Sequence, residues 1–555
     1  LGVLGVRALP HTDGATSATA EGTGTASSPT TSTAEAPAGT VLAYPTYLGG
    51  PSRSSGGRAP APERLDLIWK LEIGSGQTSR LGDGSLVTWS GTGWTGQPTV
   101  VYEDGRPWLL VGGYDHGLRR IDATTGTVMW RAELDDVIKG TNTVYYESTR
   151  PADDRLVVVT GSRRGVGLDI DDPRIAPLRA FSFATGEELW RLPVPRTENY
   201  SRDVDASPLR VDGRLIVAIE PGYVLALDTG TLVPGPGGHP MPSIVASSPL
   251  LYTPEDVAAH ATDSGSNVVL EGSPALLGDR IYIASSAGHV YGLDRATLAV
   301  EWDFACGGDL DSTVVVTRDG KLLVGLERQY VEHGGVFMLD PSKPPAECVE
   351  WFFATADRGI SEWAGGVVGS VALHPSAPLA AFNSVDGNVY VVRTDALDGT
   401  NAGPDGETTY PRPELVFSAA TGGSISTPAI VGDRMVVAGL DNTVHLYEIA
   451  DAATAPRVTE IASFVADGPF ERQRPDAGLV RVEQVHGPGR ELGHGQQSTQ
   501  DGQLVGKRCA SLPAMGTLSV WPSTVTAAPW SVAAESAAAT GAWFTSTVTV
   551  PCVCP

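Results

Sequence analysis

The chain repeats one segment, and this repetition constrains its fold more than any other feature. The clearest copy, Gly272–Trp302, has a small-residue opening with Ser-Pro, an apolar run after a Gly-Asp turn, a second run ending in Leu-Asp, and a third led by Trp. Short alternating apolar runs bounded by Gly, Asp and Asn predict antiparallel strands joined by tight turns. One four-stranded sheet of this kind cannot bury both faces, so we expect several to stack around an axis.

The number of copies predicts the number of stacked sheets. Tryptophans mark the ends of four copies, at Trp130, Trp190, Trp302 and Trp351, and Trp69 marks an N-terminal strand outside these copies. The long interval before Trp302 contains one further copy without a Trp, 207–233, and two copies follow Trp351. Seven copies result, which predicts an all-β fold: a seven-bladed β-propeller of four-stranded antiparallel blades.

Closure of the ring depends on which strand completes the seventh blade. The seventh copy, 426–449, has no clear outer strand, and the N-terminal strand around Trp69 has no copy of its own. Pairing the two would remove the exposed strand edges of an open ring. We therefore expect the N-terminal strand to be the outer strand of the last blade, with the segment Val458–Phe464 as the alternative.

The turn that precedes each Trp carries a family resemblance. The Asp-x-x-Thr-Gly segment Asp122–Gly126, followed by Trp130, resembles the repeat of the PQQ-like β-propellers. That family includes quinoprotein alcohol dehydrogenases and the non-enzymatic propeller lipoprotein of the outer-membrane β-barrel assembly machine. The resemblance covers about residues 45–449 and implies a propeller fold. It leaves open whether the chain is an enzyme.

The resemblance also implies what a quinone enzyme would carry. Such a dehydrogenase would have two neighbouring cysteines over the cofactor, a Trp beneath it and a calcium-bound carboxylate. This sequence has no Cys-Cys pair, and the two cysteines of its repeats, Cys306 and Cys348, lie in separate copies. We therefore expect no cofactor, with PQQ or calcium as alternatives. The two thiols should lie at opposite ends of outer strands, too far apart for a disulfide.

Composition divides the chain into three parts. Residues 1–44 are rich in Ser, Thr and Ala, which predicts a disordered tether; residues 45–466 hold the propeller; residues 467–555 lack strand patterns and predict a disordered C-terminal extension. Such tethers commonly follow secretion or lipoprotein signals. We therefore expect an extracytoplasmic protein, either periplasmic, tethered to the outer membrane or secreted. The net charge of −25 argues against nucleic acid as a partner, and no apolar run is long enough for a transmembrane helix.

The openings of the repeated segments place acidic side chains at equivalent positions. In three consecutive copies the aligned residues are Asp205, Glu271 and Asp311, with Asp203 and Asp309 two residues before the first and the last. The other four copies present Thr141, Val368, Ile425 and Gly96. Because these openings begin the innermost strands, we expect the carboxylates to gather on one side of the axis. They predict a site for a cation or cationic ligand, with Asp205, Glu271 and Asp311 as metal ligands. The alternative is a structural role, with bonds from backbone amides and from Arg202, Arg358 or Lys139.

Loops on the same face extend this candidate site. They include Glu220 and the segment 327–333. Further polar and aromatic residues predicted for the ligand-binding face are Tyr200, Arg202, Arg163, Arg164, Arg358, Trp363, Tyr330 and His333. We expect Arg202 to be the internal counter-charge of the carboxylates.

Three functions are compatible with this sequence. No GxSxG, HExxH or P-loop motif is present, and a non-catalytic binding or scaffold propeller is the first hypothesis. Its partner would be a protein, peptide or small molecule on the face of the acidic residues. A PQQ- and calcium-dependent dehydrogenase, and a carboxylate-dependent hydrolase or lyase acting on saccharides, are the alternatives.

Overall fold

The computed structural model describes residues 2–3, 39–54, 61–80, 84–93, 96–262, 265–360 and 363–466. Within these ranges, seven antiparallel sheets follow one another along the chain as the blades of a β-propeller, which confirms the predicted fold. The predicted C-terminal extension and most of the predicted tether lie outside the described residues. No helix in the described part is long and apolar enough to cross a membrane.

The strands of each blade run in chain order from the axis to the rim. Blade 1 consists of Thr99–Glu103, Arg106–Gly112, Gly117–Asp122 and Val128–Glu133, and blade 2 of Thr143–Tyr146, Leu156–Thr160, Leu178–Ser182 and Glu188–Leu192. Blade 3 consists of Leu209–Val211, Arg214–Ile219, Tyr223–Pro234 and Pro240–Ser247, and blade 4 of Ala275–Leu277, Arg280–Ser285, His289–Asp294 and Val300–Ala305. Blade 5 consists of Val315–Val316, Leu322–Leu326, Gly335–Leu339 and Val349–Ala354. Blade 6 consists of Ala372–Leu373, Leu379–Asn383, Asn388–Ala402 and Thr409–Ala420, and blade 7 of Ala429–Val431, Arg434–Ala438, Thr443–Ala450 and Arg457–Val465.

Short elements lie before blade 1, between blades 3 and 4, and within blades 3 and 5. The α-helix Pro254–Ala259 and the ribbon of Ala261–Thr262 with Gly265–Ser266 lie between blades 3 and 4. A hairpin of Ser75–Ser79 and Leu86–Ser90 precedes blade 1, and single 3-10 turns occur at Pro236–Gly238 and Pro345–Glu347.

The repeated tryptophans join each blade to the next. Trp130 on the outer strand of blade 1 donates its indole N–H to the carbonyl of Phe183 in blade 2 at 2.9 Å. Gly186 lies beneath that ring with a φ of +76°, and a Cβ there would come within 2.7 Å of the indole. The Thr-Gly turn therefore uses glycine both for its left-handed conformation and for room beneath the Trp.

An N-terminal segment crosses the axis of the ring. Strand Thr40–Tyr44 pairs with the innermost strand of blade 1 and adds a fifth strand on its axial side. The following residues 45–54, which we call the plug segment, accept backbone hydrogen bonds from blades 2, 4 and 5. The hydroxyl of Tyr47 bonds Ser370 of blade 6 and Thr427 of blade 7. One short segment thereby ties together the inner ends of most of the blades.

The prediction that the Trp69 strand closes the ring was wrong. Blade 7 has its own outer strand, Arg457–Val465, which contains the predicted alternative and pairs with Thr443–Ala450. Strand Trp69–Lys70 pairs instead with Gly2–Val3. The Trp69 indole nevertheless packs on blade 1 and donates to the carbonyl of Ala123 at 2.9 Å, the contact that Trp130 makes with blade 2. Trp69 matches the repeat because its side chain packs on blade 1 as the other tryptophans pack on their neighbours. This packing does not require its strand to pair with blade 7.

The two described cysteines are free thiols, which confirms that they are not paired with each other. Cys348 is buried and Cys306 is half-buried. Burial raises the pKa of each thiol to about 12. Thiols with such values are mostly protonated at neutral pH and are poor nucleophiles.

One histidine links the short helix to blade 4. His289 lies 2.7 Å from Asp303 and 3.4 Å from Asp256, a residue of the first turn of Pro254–Ala259. Burial opposes protonation of the ring, but Asp303 and Asp256 outweigh it and raise the pKa of His289. The imidazolium therefore stabilises the folded state at low pH.

This arrangement predicts a modest dependence of stability on pH. Because the folded pKa exceeds the unfolded value of about 6.5, the stabilisation is complete below that pH and is lost as pH rises through the folded pKa. Between pH 6 and pH 8, His289→Gln should remove about 1 kcal/mol of this dependence. Urea midpoints of both proteins at the two pH values measure it. Equal pH dependence in the two proteins would contradict the assignment.

Candidate functional site

The openings of the inner strands meet around a small axial cavity. Its volume is about 20 Å³, and its lining residues are Tyr47, Thr141, Asp205, Glu271, Ser273, Asp311, Thr313, Val368, Gly369, Ser370 and Ile425. The structure thus brings together the three aligned carboxylates and most of their uncharged counterparts; Gly96 is not part of this lining. Tyr47 of the plug segment contributes to the wall. A cavity of this size holds a water molecule or a single ion.

Acidic side chains occupy one side of the cavity, at blades 3 to 5. We call them the acidic chamber: Asp203, Asp205, Glu220, Glu271, Asp309, Asp311 and Glu327. Glu220 and Glu327 directly follow the second strands of blades 3 and 5. Sequence analysis placed both on this face but not in the acidic group. The sequence held a signal for them, because each glutamate directly follows the second strand of a blade. The first strand of the same blade is preceded by an aligned carboxylate, Asp205 or Asp311.

The chamber contains two groups of three carboxylates. Oxygen atoms of Asp205, Glu220 and Glu271, the first triad, lie within 4.8 Å of one another. Oxygen atoms of Asp309, Asp311 and Glu327, the second triad, do the same. Each triad offers the ligand type that hard divalent cations such as Ca²⁺ and Mg²⁺ prefer.

A lysine lies against the first triad. Lys139, on the connection that leads into blade 2, forms an ion pair with Asp205, and its Nζ is 4.0 Å from Glu220 Oε1. Burial would lower the pKa of Lys139, but the neighbouring carboxylates hold it well above its usual value. Despite the lysine, burial raises the pKa of Asp205. Burial and the neighbouring Asp205 raise the pKa of Glu220.

Asp203 is fully satisfied by protein groups. Arg163 Nε donates to its Oδ2 at 2.8 Å, and the backbone N–H of Arg164 donates to its Oδ1 at 2.9 Å. Burial alone would raise the pKa of Asp203, but Arg163 and Lys139 outweigh it and lower the value. Arg163 also donates to Thr78 and thereby holds the Ser75–Ser79 hairpin on this face. Both oxygens of Asp203 therefore accept a hydrogen bond from a protein group.

The second triad is bound by neutral donors. Asn267 Nδ2 donates to Asp309 Oδ2 at 2.7 Å, and Ser286 Oγ donates to Asp311 Oδ1 at 3.1 Å. Asp309 Oδ1 is buried and has no hydrogen-bond partner. Burial and the nearby Glu327 raise the pKa of Asp309 to about 8. Burial and neighbouring carboxylates also hold the pKa values of Asp311 and Glu327 well above the usual range.

Aromatic residues and a histidine lie near Asn267, the residue that donates to Asp309 of the second triad. The hydroxyl of Tyr200 donates to Asn267 Oδ1 at 2.9 Å. The rings of His260 and Tyr330 meet edge to face with centroids 4.5 Å apart. His260, Asn267 and Tyr200 are buried, and Asn267 joins this group to Asp309 of the triad.

The predicted open ligand-binding surface is largely an interior. Five of its residues are buried: Tyr200, Arg202, Arg163, Arg164 and Trp363. Tyr330 and His333 are half-buried, and Arg358 is exposed. Arg202 donates to the carbonyls of Val194, Ile170 and Asp172, so the prediction that it neutralises the carboxylates was wrong. It fixes an adjoining loop. Among the residues that the structure describes, Lys139 and Arg163 form ion pairs with carboxylates of the chamber.

The dimensions of the cavity bear on cofactor chemistry. Pockets for cofactors and drug-sized ligands have volumes of about 300–1,000 Å³. A space of about 20 Å³ does not fit a quinone cofactor such as PQQ, whereas it does fit one metal ion.

Comparisons with known proteins found similar solved structures. No family model and no curated protein matches the sequence. Similar solved structures include BamB from Moraxella catarrhalis, at 16% identity over 70% of this chain and 95% of that chain, with a TM-score of 0.43. A quinohemoprotein alcohol dehydrogenase from Comamonas testosteroni is 13% identical over 77% of this chain and 73% of that chain, with a TM-score of 0.46. Another, from Pseudomonas putida, is 12% identical over the same shares, with a TM-score of 0.43. The seven-bladed propeller predicted from the repeats is confirmed by the strand pairings of this chain itself.

Proposed function

We propose that this chain is a non-catalytic, extracytoplasmic binding propeller whose acidic chamber holds one hard divalent cation such as Ca²⁺. The observation that carries the proposal is the group of seven carboxylates beside an ion-sized cavity, with Lys139 and Arg163 in ion pairs with members of the group. Buried carboxylates repel one another unless a cation or a proton lies among them. A bound ion would supply the missing positive charge.

Binding fits this geometry better than catalysis. A hydrolase or lyase acting on saccharides needs a cleft that admits a sugar ring between its carboxylates. The chamber leaves about 20 Å³, and residues from several blades and the plug segment enclose it. We therefore assign the chamber to an ion and the partner to the surrounding loops of the same face, where Arg358 is exposed and His333 half-exposed.

The location remains an expectation from composition. A Ser-, Thr- and Ala-rich N-terminal segment supports export and attachment at the cell envelope. Fractionation of the native host, with an antibody against the propeller, would test it. A purely cytosolic signal would overturn this part of the proposal.

Calcium binding to chelator-treated protein is the direct test of the ion site. Calorimetry should find one equivalent of Ca²⁺ per chain, and saturating Ca²⁺ should stabilise the fold, by about 2.7 kcal/mol at 100 times the Kd. Asp311→Asn should weaken this binding at least tenfold. The matched control Asp279→Asn alters a side chain that is 95% exposed and should bind as the wild type does. If Ca²⁺, Mg²⁺ and Mn²⁺ all fail to bind the wild type, the proposed function is wrong.

A further inference from the structure

We propose that the second triad alone binds the cation, while Lys139 permanently serves the first triad as its built-in counter-cation. This inference rests on the proposed function and specifies the site within it. It distinguishes two carboxylate groups that look alike in composition. The distinction follows from the charges and hydrogen bonds around each group.

The first triad is already supplied with positive charge. The Lys139 ammonium forms an ion pair with Asp205 and approaches Glu220 to 4.0 Å. An ion between these three oxygens would lie against the ammonium, and two cations at such a distance repel strongly where water is excluded. Lys139 therefore disfavours a metal ion in this half of the chamber.

The second triad has no comparable partner. Among the residues that the structure describes, no lysine or arginine lies within ion-pair distance of Asp309, Asp311 or Glu327. Asp309 is only 3% exposed, and its Oδ1 has no hydrogen-bond partner. Oxygens of Asp205 and Glu220 in the first triad are also buried without a hydrogen bond, but there the Lys139 ammonium supplies positive charge. An unpartnered carboxylate oxygen at such depth is costly unless a cation or a proton satisfies it.

The spacing of the second triad suits one ion. Ca²⁺ takes six to eight oxygen ligands at about 2.3–2.6 Å, so oxygens on opposite sides of the ion are separated by about 5 Å. The three carboxylates present oxygens within 4.8 Å of one another. Asn267 and Ser286 hold Asp309 and Asp311 through one oxygen each, which leaves further oxygens for the ion. Such supporting donors orient metal ligands.

Matched single substitutions separate the two halves of the chamber. Asp309→Asn and Glu327→Gln alter the second triad, and Asp205→Asn and Glu220→Gln make the same chemical changes in the first. Titration of the chelator-treated full chain with Ca²⁺ alone should show binding at least 100-fold weaker in the first pair of variants. In the second pair the Kd should change less than fivefold. Circular dichroism and the unfolding midpoint confirm that each variant is folded.

A gain-of-site experiment keeps the inference testable if some of these variants fold poorly. Lys139→Met removes the built-in cation, so the stoichiometry of Ca²⁺ should rise from one to two per chain. Loss of binding in the Asp205 or Glu220 variants, equal weakening in all four, or an unchanged stoichiometry in Lys139→Met would overturn the inference while leaving an ion-binding propeller. A wild type that binds no divalent cation would remove the proposed function itself. Protonation would then be the state that satisfies the second triad.

Discussion

Replacement of Arg53 by Met should lower the free energy of unfolding by about 3–5 kcal/mol, because this side chain fixes the plug segment across the axis. Arg53 is fully buried, and its guanidinium donates to the carbonyls of Pro274, Tyr47 and Ser207, each at 2.8 Å. It also donates to Thr46 Oγ1 at 2.7 Å. No carboxylate takes part in these contacts, and burial lowers the pKa of Arg53 to about 9. The charge is thus held by backbone oxygens that would lose their donor in the variant.

The measurement is chemical denaturation of the wild type and of R53M, followed by Trp fluorescence. Arg64→Met is the matched control, since Arg64 belongs to the same N-terminal region and its side chain is 80% exposed. The control should change stability by less than about 0.5 kcal/mol. If R53M and R64M unfold at the same midpoint, the contacts of Arg53 in the plug segment do not stabilise the propeller. A first, separate transition for R53M would show that the plug segment leaves before the ring opens.

The fold could be predicted because the residues that pack one blade on the next recur in the sequence. Each Thr-Gly turn and the Trp after it recur, and the structure joins neighbouring blades through those residues. Trp69 shows what the repeat pattern cannot predict. It matches the pattern because its indole makes the expected contact with blade 1, yet its backbone belongs to a different ribbon. A side-chain pattern reports packing partners and does not report strand partners.

The candidate site was predictable in part for a similar reason. Aligning the openings of the inner strands placed Asp205, Glu271 and Asp311 around the axis, because equivalent positions of a repeat occupy equivalent positions in a ring. Lys139 and the plug segment belong to connections that do not repeat. Their contacts depend on which loop reaches the axis from a distance along the chain, and a local pattern carries no information about that. Arg163 and Tyr200 are likewise buried and contact Thr78 and Asn267, which also lie in connections that do not repeat.

Lys139→Met should destabilise the chelator-treated protein by about 3–5 kcal/mol, because it removes one partner of a buried ion pair and leaves the other charged. Asp205 then faces Glu220 and Glu271 without the ammonium with which it is paired. Asp205→Asn alone should cost less, since Glu220 still lies 4.0 Å from the ammonium.

The double variant tests whether the two side chains act as a pair. If Lys139 serves the first triad, Asp205→Asn should be nearly harmless or stabilising in the Lys139→Met background, with a coupling energy of about 1–3 kcal/mol in a double-mutant cycle. Denaturation in the presence of chelator measures all four proteins without an ion in either triad. Strictly additive losses would mean that Lys139 stabilises the fold through its aliphatic stem, by packing in the connection before blade 2. A large coupling would mean that Lys139 stabilises the first triad through its charge. This result is expected if the lysine pairs with the first triad and the metal ion binds the second.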